Sequence, residues 1–250
     1  MIAIGLWLLV WEAVHRYVGR EVLVVSPVRA VSRLWELGAT PEFWGAVFTT
    51  NARVLEGFGI AILAGSILAV LTSRFMLFRH LFQPFLGVIR ATPLASIIIL
   101  ALVWLATARI PVFVVSLMVT PMIWTNLFAG LEVMDTQLLE MGQVFRFGWL
   151  KKMRYIYLPS LMPYITSALT TGLGAAWKTA IGAEVLARPA GTMGQHVYDA
   201  RIHLLTADLF AWTIAVIALS VLLEKLMVRL LDFLGRRLAG TKRRGFRDEI

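Results

Sequence analysis

The sequence predicts an all-α, polytopic membrane protein with about six transmembrane helices. Hydrophobic residues fill 59% of its 250 positions and charged residues only 16%. Soluble domains hold about 45–50% apolar and about 25% charged residues. Mean hydropathy is +0.77, and the apolar residues are gathered in long runs. A chain with so few charges lacks the material for a surface wetted on every side.

Crossing a hydrocarbon core about 30 Å thick takes about 20 apolar residues, because a helix rises about 1.5 Å per residue. Six stretches qualify, roughly 2–19, 46–72, 81–107, 110–134, 160–187 and 207–234. None alternates with the period of two that a membrane barrel needs, so helices are the remaining spanning structure. The first stretch lacks a basic leader and a small-residue cleavage site, and it reads as a retained helix. A few charged residues ahead of it in a longer chain are a further expectation.

The segment 26–44 is different. Ser26-Pro27 can start a helix, with Val28, Val31, Leu34 and Leu37 at helical spacing and Arg29, Arg33 and Glu36 on the other side. This predicts a short amphipathic helix at a membrane interface. The third span carries Pro84, Arg90 and Pro93. Proline removes a backbone donor, so a bent helix is expected here, with Arg90 toward the inner interface and Pro93 as a candidate for the solute pathway.

With the N-terminus inside, the inner loops and tail hold the larger share of Lys and Arg, including Arg74, Arg79, Arg146, Lys151, Lys152 and Arg154. That fixes the orientation expected for a multi-pass protein. It also accounts for the net charge of +9, which in a soluble protein would point to nucleic acid. The domain division that follows is a transmembrane domain over 1–235 and a basic cytoplasmic tail over 236–250, expected to fray and to anchor topology.

Several chemistries are excluded. With no cysteine in the chain, disulfides, thiolate zinc sites and thiol catalysis are ruled out. The four histidines, His15, His80, His196 and His203, have no metal-ligand spacing. No catalytic triad, paired carboxylates or phosphate-binding glycine loop is present. The sequence therefore assigns no catalytic residue, no metal site and no cofactor to this chain.

Charges and polar groups inside spans are costly and face a partner, a cavity or an interface. Lys178 and Glu184, six residues apart in the fifth span, differ by about 120° in azimuth and need not pair. Lys178 fits an anionic solute, but a neighbouring acid that neutralises it, or a side chain that snorkels toward an interface, is the plainer reading. Arg53 and Glu56 are expected in an ion pair within or between helices. Asn126 and Trp177 complete the candidates for the pathway, with bundle contact as the plainer reading for Asn126.

The longest connection, about 135–159, lies between the fourth and fifth spans. Gln137, Glu140 and Gln143 share one helical face, and Leu138, Met141, Val144 and Phe145 another. This predicts an amphipathic helix at the inner membrane face. Phe147-Gly148 is expected to end it. Pro159 is expected to open the fifth span where its missing donor costs nothing.

This stretch resembles the EAA loop of ABC importer permeases, whose pattern is Glu-Ala-Ala, three residues, Gly, nine residues, Ile, one residue, Leu-Pro. Glu140, Ile156, Leu158 and Pro159 occupy the matching positions without a gap. Met141 and Gly142 stand for the alanines, and Arg146 for the glycine, with Gly148 two residues on. The likeness extends over roughly residues 1–235, through Thr50 to Phe58, Arg90-Ala-Thr-Pro93, Trp177-Lys178, Ala183-Glu184-Val185, Gly191-Thr-Met-Gly194 and Thr206-Ala-Asp208. The chain is most similar to the nitrate/sulfonate/taurine type.

The resemblance implies a type I importer permease in the bacterial inner membrane, working as a homodimer or a near-equivalent heterodimer with two ATPase subunits and an external substrate-binding protein. ATP and magnesium would sit on the ATPase. Glu140, Met141, Gly142, Val144, Phe145, Gly148, Ile156, Leu158 and Pro159 would couple this chain to it. The solute implied is small and anionic or vitamin-like. A secondary transporter or channel driven by ion gradients is the alternative. It requires an inverted repeat and an intramembrane ion site, and it leaves the loop pattern without a purpose.

Overall fold

A computed structural model describes residues 2–245, and for 2–4, 232 and 234–245 the backbone alone. The described residues form eleven α-helices: α1 Ile2–Val18, α2 Pro27–Gly38, α3 Pro41–Arg74, α4 Met76–Ala91, α5 Leu94–Trp104, α6 Ile110–Glu132, α7 Thr136–Val144, α8 Trp149–Lys152, α9 Leu158–Ala187, α10 Met193–Ile202 and α11 Thr206–Gly245. There is no strand among them, and the fold is all-α as the sequence predicts.

One helix lies over each expected span except the third, which is covered by two. Pro41–Arg74 and Thr107–Glu132 are each long and apolar enough to cross a membrane, and α4 with α5 qualifies only as a pair. The helix α1 is 17 residues long, below the usual length of a span. In α9, Thr166, Ser167, Thr170, Thr171 and Lys178 dilute the apolar content. The third expected span is two helices. The break falls at Thr92-Pro93, whereas Pro84 lies inside α4 without interrupting it. Thr92 is extended, with φ −79° and ψ 129°, as the residue before a proline prefers.

The chain divides into two compact units, one of residues 1–57, 93–114 and 177–221 and the other of 58–92, 115–176 and 222–250. In the first, α2 starts as expected. Ser26 caps it by accepting from the Arg29 amide, and Pro27 takes the first turn. It ends at Gly38, and Pro41 opens α3 five residues before the expected start of that span. Trp11 of α1 donates to the Val25 carbonyl at 2.9 Å and stacks on Phe210 of α11. Arg33 grips Asp208 through two hydrogen bonds, a bidentate arrangement that fixes orientation as well as charge. Asp208 and Glu36 push the Arg33 guanidinium further toward its protonated form. The amphipathic segment is thus tied to α11 by its polar face, while Val28 and Val31 stay exposed.

In the second unit, Ala69, Leu86, Ile89 and Trp124 form a buried cluster under Leu68, Leu117, Leu127 and Phe128. The Trp124 indole donates to Thr72 at 2.9 Å, satisfying its one polar atom. Arg90 lies over the Trp124 ring at 5.6 Å, and Arg79 pairs with Glu132 at 2.7 Å. The helices α6 and α9 meet at Gly130, where an added Cβ would lie 2.7 Å from the Tyr164 ring. Small residues permit such close approach between membrane helices.

At the other end, α11 continues as helix through Gly245, past Arg236, where the sequence placed the start of a fraying tail. Residues 246–250 of that tail lie outside the described residues.

Candidate functional site

The segment between α6 and α9 starts at Asp135, whose side chain accepts from the Gln137 amide and caps α7. The helix ends earlier than Phe147-Gly148. Phe145 is its C-cap, and Arg146 takes a left-handed backbone, φ 50°. The Arg146 amide donates to Gln143 and the Phe147 amide to Gly142, each at 2.9 Å. That pair of bonds is the Schellman closure, which places a left-handed residue just past the C-cap, usually glycine. The position where the permease pattern has its glycine is therefore the position that needs one, and this chain fills it with arginine. Gly148 starts the next turn as the N-cap of α8.

Left-handed backbone costs a non-glycine residue about 1–2 kcal/mol, offset in part by the entropy that glycine loses on folding. Arg146→Gly is expected to stabilise this turn by about 0.5–1 kcal/mol. Amide hydrogen exchange at Phe147 should slow by about twofold to fivefold, and faster exchange would contradict this account of the turn.

Gly142 faces inward. A Cβ built on it would lie 2.7 Å from Cδ1 of Ile156, and Ile156 is itself buried. Two positions of the permease pattern thus meet in one contact, which holds α7 against the start of the next helix. The opposite outcome holds for the apolar face read from spacing. Val144 is 79% exposed and Phe145 67%, with Met141, Trp149 and Leu150 also exposed. The inward side of α7 is the one with the small residue, and the large apolar side chains point away. Glu140 is exposed as well, with no ion pair among the described residues.

Pro159 does not open a helix. Helical backbone already runs from Trp149, through a five-residue π-helical segment, Met153–Tyr157, into α9. The Leu158 amide donates to the Met153 carbonyl, five residues back. A proline within a helix removes a donor and crowds the carbonyl four residues before it, here that of Tyr155. The wider π turn relieves that crowding, and such turns recur at functional sites. Leu158 and Pro159 therefore lie in a continuous helical strut joined to α9.

A second cluster surrounds Glu184, which is fully buried. Its Oε2 accepts from the Thr50 hydroxyl at 2.9 Å and from the Gly194 amide at 3.1 Å. The Thr50 hydroxyl in turn accepts from the Met193 amide at 3.0 Å, and Thr192 caps the Gln195 amide. The first three amides of α10 are thus satisfied by side chains of α3, α9 and the cap residue, and the carboxylate sits where a helix N-terminus favours negative charge. Gly194 makes this possible, because a Cβ there would lie 2.3 Å from that of Glu184. The second oxygen of Glu184 and Nη1 of Arg53 are buried without hydrogen-bond partners.

The remaining candidates divide between packing and exposure. Pro93 is the N-cap of α5. Asn126 donates to the Met122 carbonyl of its own helix at 2.9 Å. Trp177 is buried, with its indole donating to the Val216 carbonyl at 3.2 Å. Lys178, next to it, is exposed and has no acid within pairing distance among the described residues. Arg53 does not pair with Glu56, whose partner is Arg109 at 3.0 Å. Among the described residues no group of three or more His, Asp or Glu could hold a metal.

Thr50 and Gly194 carry the Glu184 cluster but were absent from the residues assigned to a site. Their signal was present in Thr192-Met-Gly194, a capping residue followed by a glycine. Nothing in the spacing, however, joined positions more than a hundred residues apart.

Comparison with known proteins bears on the family and the fold. Residues 61–240 match the family described as "Binding-protein-dependent transport system inner membrane component". A Bacillus subtilis (strain 168) protein named as an aliphatic sulfonates transport permease is 26% identical over 212 residues, covering 83% of this chain and 75% of that protein. A nitrate import permease protein of Synechocystis sp. is 24% identical over 234 residues, covering 90% and 84%. The structure of an amino acid ABC transporter with histidines superimposes with a TM-score of 0.60 at 18% identity, over 78% of this chain and 93% of that one, a likeness of fold. A family match over residues 61–240, most of the chain, on an all-α fold, places this protein in the inner-membrane-component family of binding-protein-dependent transport systems, as a transport permease and not an enzyme.

Proposed function

We propose that this chain is the translocation subunit of an ATP-driven importer in a bacterial inner membrane. It works as a pair of copies with two separate ATPase subunits, which carry the ATP and magnesium, and with an external binding protein that delivers the solute. Sulfonate and nitrate, the solutes in the names of two relatives, are anions at neutral pH, and a small anion is the solute class favoured for this chain.

The observation that carries the reading is the outward apolar side of α7. Gly142 packs against Ile156, while Val144 and Phe145 are largely exposed among the described residues, Phe145 with only Phe147 beside its ring. Exposed large side chains on a short braced helix suit a groove on another protein. The strut continues into α9 without a break, so a push on α7 is delivered to a membrane helix. A rigid element joined to a bundle with two arrangements is what such a switch requires.

The chain has no cysteine, so Val144→Cys carries one unique handle. A photoactivatable cross-linker on that cysteine, in membranes of cells making the complete transporter, should capture a soluble-faced subunit that binds ATP. Capture of lipid alone would remove the docking role.

A further inference from the structure

Opposite charges meet at the junction of α3, α9 and α10, and each has a buried atom without a partner. Glu184 is fully buried, and its Oε2 takes both of its donors, the Thr50 hydroxyl and the Gly194 amide. Its Oε1 and Nη1 of Arg53 are buried with no hydrogen-bond partner among the described residues. These two atoms share one neighbourhood. Arg53 follows Thr50 by three residues on α3, so the two lie on one helix face, and Thr50 is bonded to Glu184. The Arg53 charge is within electrostatic reach of the Glu184 carboxylate. The two groups nevertheless stop short of a hydrogen bond to each other.

A polar atom taken out of water and left unpaired loses its full hydration, and native interiors supply such atoms with a partner. The partner needed here accepts from an arginine N–H and donates to a carboxylate oxygen. A metal or ammonium cation cannot accept, and a nitrate, sulfonate or carboxylate anion cannot donate. The neighbouring hydroxyl is committed, since Thr50 donates to Glu184 and accepts from the Met193 amide. A second copy of the chain, a lipid or a solute has no access to atoms closed inside one compact unit. Water both accepts and donates, and two to four polar partners suffice to hold it.

We propose that ordered water is bound at this junction, accepting from Nη1 of Arg53 and donating to Oε1 of Glu184. Arg53 is then a positioning residue. Through the water it turns the carboxylate so that Oε2 meets Thr50 and the first turn of α10. The site rests on this junction alone and on no transported solute.

Electron cryo-microscopy of the complete transporter, at a resolution that shows ordered water, tests the site. Water density should lie within about 2.7–3.2 Å of Nη1 of Arg53 and of Oε1 of Glu184. Direct contact between the two side chains, a protein atom in that place, or no density there would overturn it. Amide hydrogen exchange in the same complex reads the positioning role. Arg53→Met keeps the stem and removes the donor, and it should speed exchange at Met193 and Gly194 by about tenfold. Arg53→Lys keeps a charged donor and should restore most of the protection. Equal exchange in all three chains would confine Arg53 to packing, and Lys as fast as Met would show that a donor there does not matter. Either result overturns the role. If Arg53→Met fails to assemble, the density in the native complex still decides the site.

Discussion

Replacing Glu140 with Arg and Phe145 with Ala in one chain is expected to abolish ATP-driven uptake while leaving the protein in the membrane. Both side chains are exposed, so neither change opens a cavity or strands a buried group, and surface changes of this kind cost folding within about 0.5 kcal/mol. Their effect falls on whatever covers α7. Truncating an aromatic anchor at a docking surface costs about 2–4 kcal/mol, and reversing a charge there adds repulsion. Together that is a loss of association of at least about thirtyfold. The measurement is retention of the ATPase on the purified permease, alongside uptake. Undiminished retention and uptake would show that α7 is a surface helix without a partner.

The largest effect on stability is expected from Gly194→Ala. The new methyl group would lie 2.3 Å from Cβ of Glu184 and 2.9 Å from its backbone carbon. Backbone cannot rotate away as a side-chain tip can, so α10 must move off α9. That breaks the bonds from the Gly194 and Met193 amides to Glu184 and Thr50. Overpacking costs about 1–3 kcal/mol, and a stranded buried donor adds about 1–3 kcal/mol, so a loss of about 3 kcal/mol or more is expected, seen as a lower unfolding temperature in detergent. Glu184→Gln keeps an oxygen for both donors and should cost only about 1 kcal/mol, whereas Glu184→Leu should approach the effect of Gly194→Ala. Equal tolerance of Gly194→Ala and Glu184→Gln would mean that the contact does not exist as described.

These two sites differ in how far the sequence disclosed them. The loop was visible because its information is local. Amphipathic spacing, a gapped pattern and a long connection between two spans all lie within 25 residues, so α7 falls where it was expected. The errors there concern backbone detail. Spacing could not tell that Arg146 rather than Gly148 takes the left-handed turn, since glycine merely permits that conformation while the hydrogen bonds of the helix end select it. Nor could it tell that Pro159 follows a π segment, because helical backbone upstream tolerates a proline once its turn widens.

The partners of Glu184 were not legible in the sequence. A glutamate in an apolar span suggests a pathway, since a buried charge demands a reason. The reason here is the first turn of α10, whose amides it accepts. Lys178 is the reverse case. From sequence a neutralising acid on a neighbouring helix was the safer expectation, and its freedom from one became visible only with the side chains placed.

The sequence by itself determined what depends on neighbours along the chain. That includes the all-α class, the membrane setting, the six hydrophobic segments, the helix start at Ser26-Pro27, and the family. Hydropathy, helical period and capping chemistry act over a few residues, and they survive in a linear reading. Only the tertiary structure decided which side of α7 is exposed and which donors Glu184 serves. Those are properties of distance between residues remote in the chain, set by how large and small side chains pack, and no one-dimensional pattern contains them.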